Sequence, residues 1–128
     1  MPGERYNKGL AARREVLGAS YVDAALGRAT PFEAEFQEMV TEYCWGGTWG
    51  RGVMDRQKRS ILNLGMLAAL GRMQEFELHF RAALVNNKVP LEELKEVLLQ
   101  IAVYCGIPAG VEVFRVARKV LAEQGVTK

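Results

Sequence analysis

The sequence predicts an all-α fold, and three observations carry that prediction. Apolar residues recur at helical spacing along most of the chain. No alternating run rich in β-branched residues and bounded by turns is long enough to make a convincing strand. Glycine, proline and asparagine fall where the helical periods end, as stop and start signals. With 128 residues, 49% of them hydrophobic and 25% charged, the chain suits a single globular domain, residues 1–128, around one core.

The elements follow in order. An amphipathic stretch of about residues 6–17 ends at Gly18, and a second short helix is expected from Ser20, with Asp23 at the capping-box position. Thr30, Pro31 and Glu33 supply an N-cap, a first-turn proline and a third-position acid for the next helix. Phe32, Phe36, Met39, Val40 and Tyr43 are expected to form its buried face. From Trp45 to Val53 come four glycines and two tryptophans, which predicts a broken helix and an aromatic-rich loop. Tryptophan in such a loop caps a core more often than it lines a pocket, because its large apolar area seeks burial.

Asp55 is placed to cap a long helix running to about Leu70. Ile61, Leu62, Leu64, Met66, Leu67 and Leu70 surround nearly its whole circumference, which predicts a central, buried helix. Gly71 joins it tightly to a helix of about residues 73–85, and two helices so joined are expected to pack as a central antiparallel hairpin. Asn86 and Asn87 end the second arm. Pro90 opens a long helix with Leu91, Leu94, Val97, Leu98 and Ile101 inward, stopped by Gly106 and Pro108. A final helix of about 109–123 puts Val111, Phe114, Ala117 and Leu121 on one side. So many apolar faces on a small chain predict burial of some of them between subunits.

Composition excludes several classes of function. Seventeen basic and fifteen acidic residues, interspersed, give a net charge of +2 and no basic stripe for nucleic acid. No apolar stretch approaches the ~20 residues that span a bilayer. An N-terminus carrying Glu4, Arg5 and Asn7 lacks the apolar core of a signal peptide, so the expected setting is the cytoplasm, without a membrane. Cys44 and Cys105 lie far apart without a Cys-x-x-Cys spacing and read as buried thiols. With one histidine in the chain, no protein-built metal site is expected.

That histidine, His79, is the most informative residue. Arg72, Glu75 and His79 stand at i, i+3 and i+7, so on a helix a cation, a carboxylate and the side chain that titrates near neutrality share one side. A surface ion pair is the competing reading of the same spacing. On the preceding helix Arg56, Ser60 and Asn63 form a polar stripe with Arg59 adjacent, amid apolar residues; such groups are either paired structurally or line a polar ligand cavity. Tyr104 adds a phenol near the end of the Pro90 helix.

A set of motifs then carries a resemblance: Glu42-Tyr43-Cys44-Trp45-Gly46, Trp49, Asp55 through Arg59-Ser60, Glu77-Leu78-His79, and Val103-Tyr104-Cys105-Gly106-Ile107-Pro108-Ala109. In this order, from about Leu10 to Glu123, the chain resembles the carboxymuconolactone decarboxylase family of the helical AhpD-like superfamily. The peroxidase branch of that superfamily carries Cys-x-x-Cys-x-x-x-His, and the two cysteine positions fall here on Arg72 and Glu75. The dithiol that carries electrons is missing, which disfavours peroxidase activity. One departure is Gly52-Val53-Met54, where such proteins commonly have a proline-glycine-leucine step, and it implies a more mobile loop.

The resemblance implies cofactor-independent loss of a carboxylate from a small lactone acid. The ring double bond and lactone carbonyl accept the electrons, leaving the protein to bind two carboxylates, hold an oxyanion and deliver one proton to carbon. Arg59, or else Arg56 or Arg72, is expected to grip a carboxylate bidentately, with Ser60, Tyr104 and Trp45 around the substrate. His79 is expected to donate to the oxyanion or to supply the proton, with Glu75 orienting it or keeping it protonated. Glu42 or Glu75 would repel the leaving carboxylate. The resemblance also implies a homo-oligomer, a hexamer or a trimer. Another small-acid decarboxylase and a non-catalytic oligomeric binding protein are the alternatives.

Overall fold

The computed structural model describes residues 3–126, and among them helices and turns occur without strands. The chain forms two compact units, one ending at Arg56 and one beginning at Gln57.

The first unit holds α1 (Glu4–Leu17), α2 (Ala19–Arg28) and α3 (Ala34–Met39), which continues as a π-helical segment, Val40–Trp49. Gly18 stops α1 because its φ of 95° suits a residue without Cβ, and its N–H reaches the Arg14 carbonyl at 2.9 Å. Within this unit α1 and the π-helical segment make the closest pairing. Glycine makes it possible: a Cβ on Gly9 would stand 2.0 Å from the Thr41 carbonyl oxygen, and one on Gly46 would stand 2.4 Å from that of Arg5. Arg13 crosses the same contact, where it is buried and donates through one Nη to Gln37 Oε1 at 3.1 Å and Thr41 Oγ1 at 3.2 Å. Burial there lowers its pKa from the usual value.

Three expectations change in this unit. The glycine-rich stretch after Trp45 is helical up to Trp49 rather than a loop, and the Gly50 N–H returns to the Trp45 carbonyl five residues back at 2.6 Å. Its glycines permit close backbone approach instead of breaking the helix. Ser20 lies inside α2 rather than at its start, and Asp23 pairs with Arg14 at 3.0 Å. The face expected to be buried is outward: Phe32 is 97% exposed, and Phe36, Met39 and Tyr43 are exposed as well, with Val40 half-buried. The Thr30 signal does form half of a capping box, because Glu33 accepts from the Thr30 N–H and hydroxyl at 3.2 Å, but the helix itself begins at Ala34.

α4 (Arg56–Leu70) leads into the second unit, with α5 (Met73–Arg81), a π-helical continuation Ala82–Asn86, α6 (Leu91–Cys105) and α7 (Ile107–Glu123). Leu64, Phe76, Phe80, Leu94, Leu98 and Val113 form the centre of its core. Gly71, at φ 72°, gives α4 a Schellman ending: its N–H meets the Ala68 carbonyl and that of Arg72 meets Leu67, at 3.1 and 2.9 Å. The α4–α5 turn is therefore as tight as expected, while the closest helix pairings are α6 with α7 and α5 with α7. Glu77 bridges α5 to α7 by accepting from Arg81 and Lys119, and Arg81 also pairs with Glu123.

α4 is not buried around its circumference. Leu64 and Ala68 face the core with Ser60, whereas Leu62, Met66 and Leu70 are exposed. Cys105 is exposed and Cys44 half-buried, so the reading of both as buried thiols fails for Cys105. Burial raises the Cys44 pKa, with Arg13 opposing. No helix among the described residues is long and apolar enough to cross a membrane, and no group of His, Cys, Asp and Glu among them is arranged to hold a metal ion.

Candidate functional site

Helix α5 exists because Phe76 and Phe80, four residues apart, bury one stripe, with ring centroids 6.2 Å apart. That packing sets the orientation of the neighbouring stripe. Glu75 and His79, also four apart, stand one turn from each other, with Glu75 exposed and His79 half-buried. Arg72 does not complete the expected trio on the helix. It is the residue before α5, with φ −87° and ψ 75°, and its carbonyl accepts the Phe76 N–H at 2.8 Å.

Electrostatics change the reading of the imidazole. Burial pushes the His79 pKa down from 6.5 to about 4, and the nearby Glu75 carboxylate opposes this without cancelling it. Glu75 therefore does not keep His79 protonated. At pH 7 the ring is neutral, with one N–H to donate and one nitrogen to accept.

On α4, Arg59 and Ser60 are treated differently by the fold. Arg59 is half-buried, and its Nε is buried without a hydrogen-bond acceptor among the described residues. Ser60 is 1% exposed and accepts from Asn87 Nδ2 at 2.8 Å, so its hydroxyl is a structural anchor. Gln57, one turn earlier, donates to the carbonyls of Asn87 and Lys88 at 2.9 and 3.0 Å. The turn that ends the π-helical continuation of α5 is thereby tied to α4. Lys88 holds a left-handed conformation there, φ 56°, unusual for a residue with a Cβ. Sequence reasoning missed Gln57 and Asn87. The paired asparagines offered a signal, but they read only as a helix end.

The remaining candidates lie in other surroundings. Arg56 is engaged by Glu15 in an ion pair. Tyr104 is 83% exposed and lines a cleft of about 610 Å³ between α4 and α6, with Ile61, Met66, Glu93, Val97 and Ile101. In the first unit Glu42 lines an open cleft of about 550 Å³ with Arg5, Glu35, Glu38, Met39 and Tyr43. Trp45 is buried, its ring 5.0 Å from that of Trp49 and tilted by 32°, which makes it a core residue of that unit.

Helices throughout the described residues give the all-α architecture of the AhpD-like class, and the two positions at which its peroxidase branch carries cysteines hold Arg72 and Glu75 here. Residues 34–119 match the sequence model of the carboxymuconolactone decarboxylase family. Over 123 residues the chain is 37% identical to the 4-carboxymuconolactone decarboxylase of Acinetobacter baylyi, covering 96% of this chain and 91% of that protein. It is 41% identical over 116 residues to the nitrosuccinic acid decarboxylase of Metarhizium robertsii, 91% of this chain and 80% of that one. A 4-carboxymuconolactone decarboxylase sequence of Pseudomonas putida is 44% identical over 43 residues, 34% of this chain and 90% of that sequence. The chain belongs to the carboxymuconolactone decarboxylase family. All three relatives are decarboxylases by name, and this chain is an enzyme of that kind.

Proposed function

We propose that the chain decarboxylates 4-carboxymuconolactone to 3-oxoadipate enol-lactone and CO2, without a cofactor, as a homo-oligomer acting in the cytoplasmic breakdown of protocatechuate. The observation that carries this reading is the near full-length similarity to the Acinetobacter decarboxylase. The half-buried neutral imidazole of His79, one turn from Glu75, supports it.

Cleavage of the bond between ring carbon and carboxylate releases CO2 and leaves its electron pair in a dienolate that extends to the lactone oxygen. One proton then adds to carbon. Arg59, whose guanidinium keeps a buried Nε with no acceptor, grips the carboxylate that stays. Of the three arginines it suits the task best, since Arg56 already holds Glu15 and Arg72 precedes the helix. His79, being neutral, donates a hydrogen bond to the developing oxyanion rather than acting as an imidazolium acid. Glu75 passes the proton from solvent. Ser60 contributes by fixing the turn at Asn87.

A second substrate is supported by the Metarhizium relative. In nitrosuccinic acid a nitro group takes up the electron pair in place of the lactone, and two carboxylates are again present. Carbon dioxide release from freshly prepared 4-carboxymuconolactone and from nitrosuccinate, with identification of each product, separates the two readings. Turnover of the lactone that collapses in a folded His79→Ala variant is the expected result. Turnover of nitrosuccinate alone would move the assignment to that acid, and turnover of neither would favour a binding role.

A further inference from the structure

The α6–α7 pair contains a second feature, apart from every residue assigned to decarboxylation. The two helices are joined at Gly106 and run back along each other. Near that joint they are pressed together: a Cβ on Gly110 would lie 2.7 Å from the Cβ of Ala102. At the opposite end, between the start of α6 and the end of α7, the space between them opens into a cleft of about 500 Å³. That volume falls within the usual range for small-molecule sites, ~300–1,000 Å³. Its floor is apolar, with Phe80, Leu94, Leu98 and Phe114. Val126 joins one wall, held by the Schellman ending at Gly125, where the Val126 N–H meets the Leu121 carbonyl at 2.9 Å.

Charge makes the cleft selective. Lys95 on α6 and Arg118 on α7 face it from opposite walls, and Glu92 is the acid that lines it. Neither cation takes part in an ion pair or hydrogen bond among the described residues, although Lys119, next to Arg118, is engaged by Glu77. One net positive charge over an apolar floor is complementary to a monoanion with an apolar body. We propose that this cleft binds a small monocarboxylate with an aliphatic or aromatic tail, its carboxylate between Lys95 and Arg118 and its tail along Phe80, Leu98 and Phe114. The guanidinium supplies paired donors in the plane that a carboxylate presents, and the ammonium supplies charge.

Calorimetric titration of the intact protein with octanoate, and with 1-octanol as the uncharged analogue of equal length, tests the assignment. Octanoate is expected to bind saturably and at least about tenfold more tightly than octanol, a difference that charge-assisted hydrogen bonds readily supply. The double variant Lys95→Gln/Arg118→Gln should lose that preference while decarboxylation by the same preparation is unchanged. Ala117→Trp, which fills the floor, should abolish binding of both probes. Equal binding of octanoate and octanol, octanoate binding unaffected by the double variant, or no saturable binding would each overturn the proposal. So would a change in assembly mass for the double variant in light scattering, since the cleft would then be covered by a second copy. Because decarboxylation is read separately, failure here leaves the reading of His79 and Arg59 untouched.

Discussion

His79 links burial to chemistry at the scale of one residue. Its folded pKa, near 4, lies below the unfolded value of 6.5, so between these values the unfolded chain binds more protons than the folded one. Stability is therefore fully present above about pH 6.5 and is lost as pH falls toward 4, by at most about 3 kcal/mol. Denaturant titrations across this range should show the decline, and His79→Gln should remove most of it. Activity should follow the same group, with an acidic limb near pH 4 instead of 6.5. Arg59→Gln is expected to raise KM by roughly tenfold or more with an unchanged fold, since in the proposed mechanism it removes the bidentate partner of a carboxylate; an unaltered KM would assign the guanidinium to structure. The i, i+4 relation of Glu75 and His79 was legible from spacing alone. The place of Arg72 was legible only in part: Gly71 marks the helix end, but the spacing that aligns Arg72 with Glu75 and His79 treats it as helical, and the structure leaves it one residue short of α5.

At the scale of elements, backbone proximity sets what can be changed. Gly9→Ala or Gly46→Ala would drive a Cβ into a carbonyl oxygen that cannot move without its helix, and each should cost about 3 kcal/mol, the upper end of ordinary overpacking. Gly27 in α2 has open space around it, so Gly27→Ala should be neutral or stabilise by up to ~1 kcal/mol. Thermal melts of the three variants test this contrast. Ser60→Ala leaves the Asn87 amide without its acceptor and should cost about 1–2 kcal/mol. Helix positions were largely legible, because Gly18, Gly71, Pro90 and Gly106 mark ends that the structure keeps. The π-helical segment from Val40 was not. Its glycines carry the usual signature of a loop, and their use in close approach depends on α1, more than thirty residues earlier.

For the whole molecule, the apolar periods of the sequence and the surface of the chain disagree in one consistent direction. Phe32, Phe36, Met39, Leu62, Met66 and Leu70 carry the helical spacing of buried faces, yet all are exposed on the single chain. Periodicity reports that a face is buried and not which molecule buries it, which is why these positions read as core. The homo-oligomer we propose accounts for them. Leu62→Glu together with Met66→Glu should lower the assembly mass in light scattering while helical circular dichroism persists; an unchanged mass would assign the α4 face to another role.

The π-helical stretch Ala82–Asn86 begins three residues after His79 and ends beside the asparagine that anchors Ser60. A widened turn of this kind holds one residue more than an α-helical turn needs. Removing that residue would let the turn relax to the narrower form while the residues beyond it keep nearly the faces they have now. A deletion of one residue inside this stretch should therefore be absorbed with Asn87 still at Ser60, whereas the same deletion in the regular turns of α5 or α6 would rotate everything beyond it by about 100° around the axis.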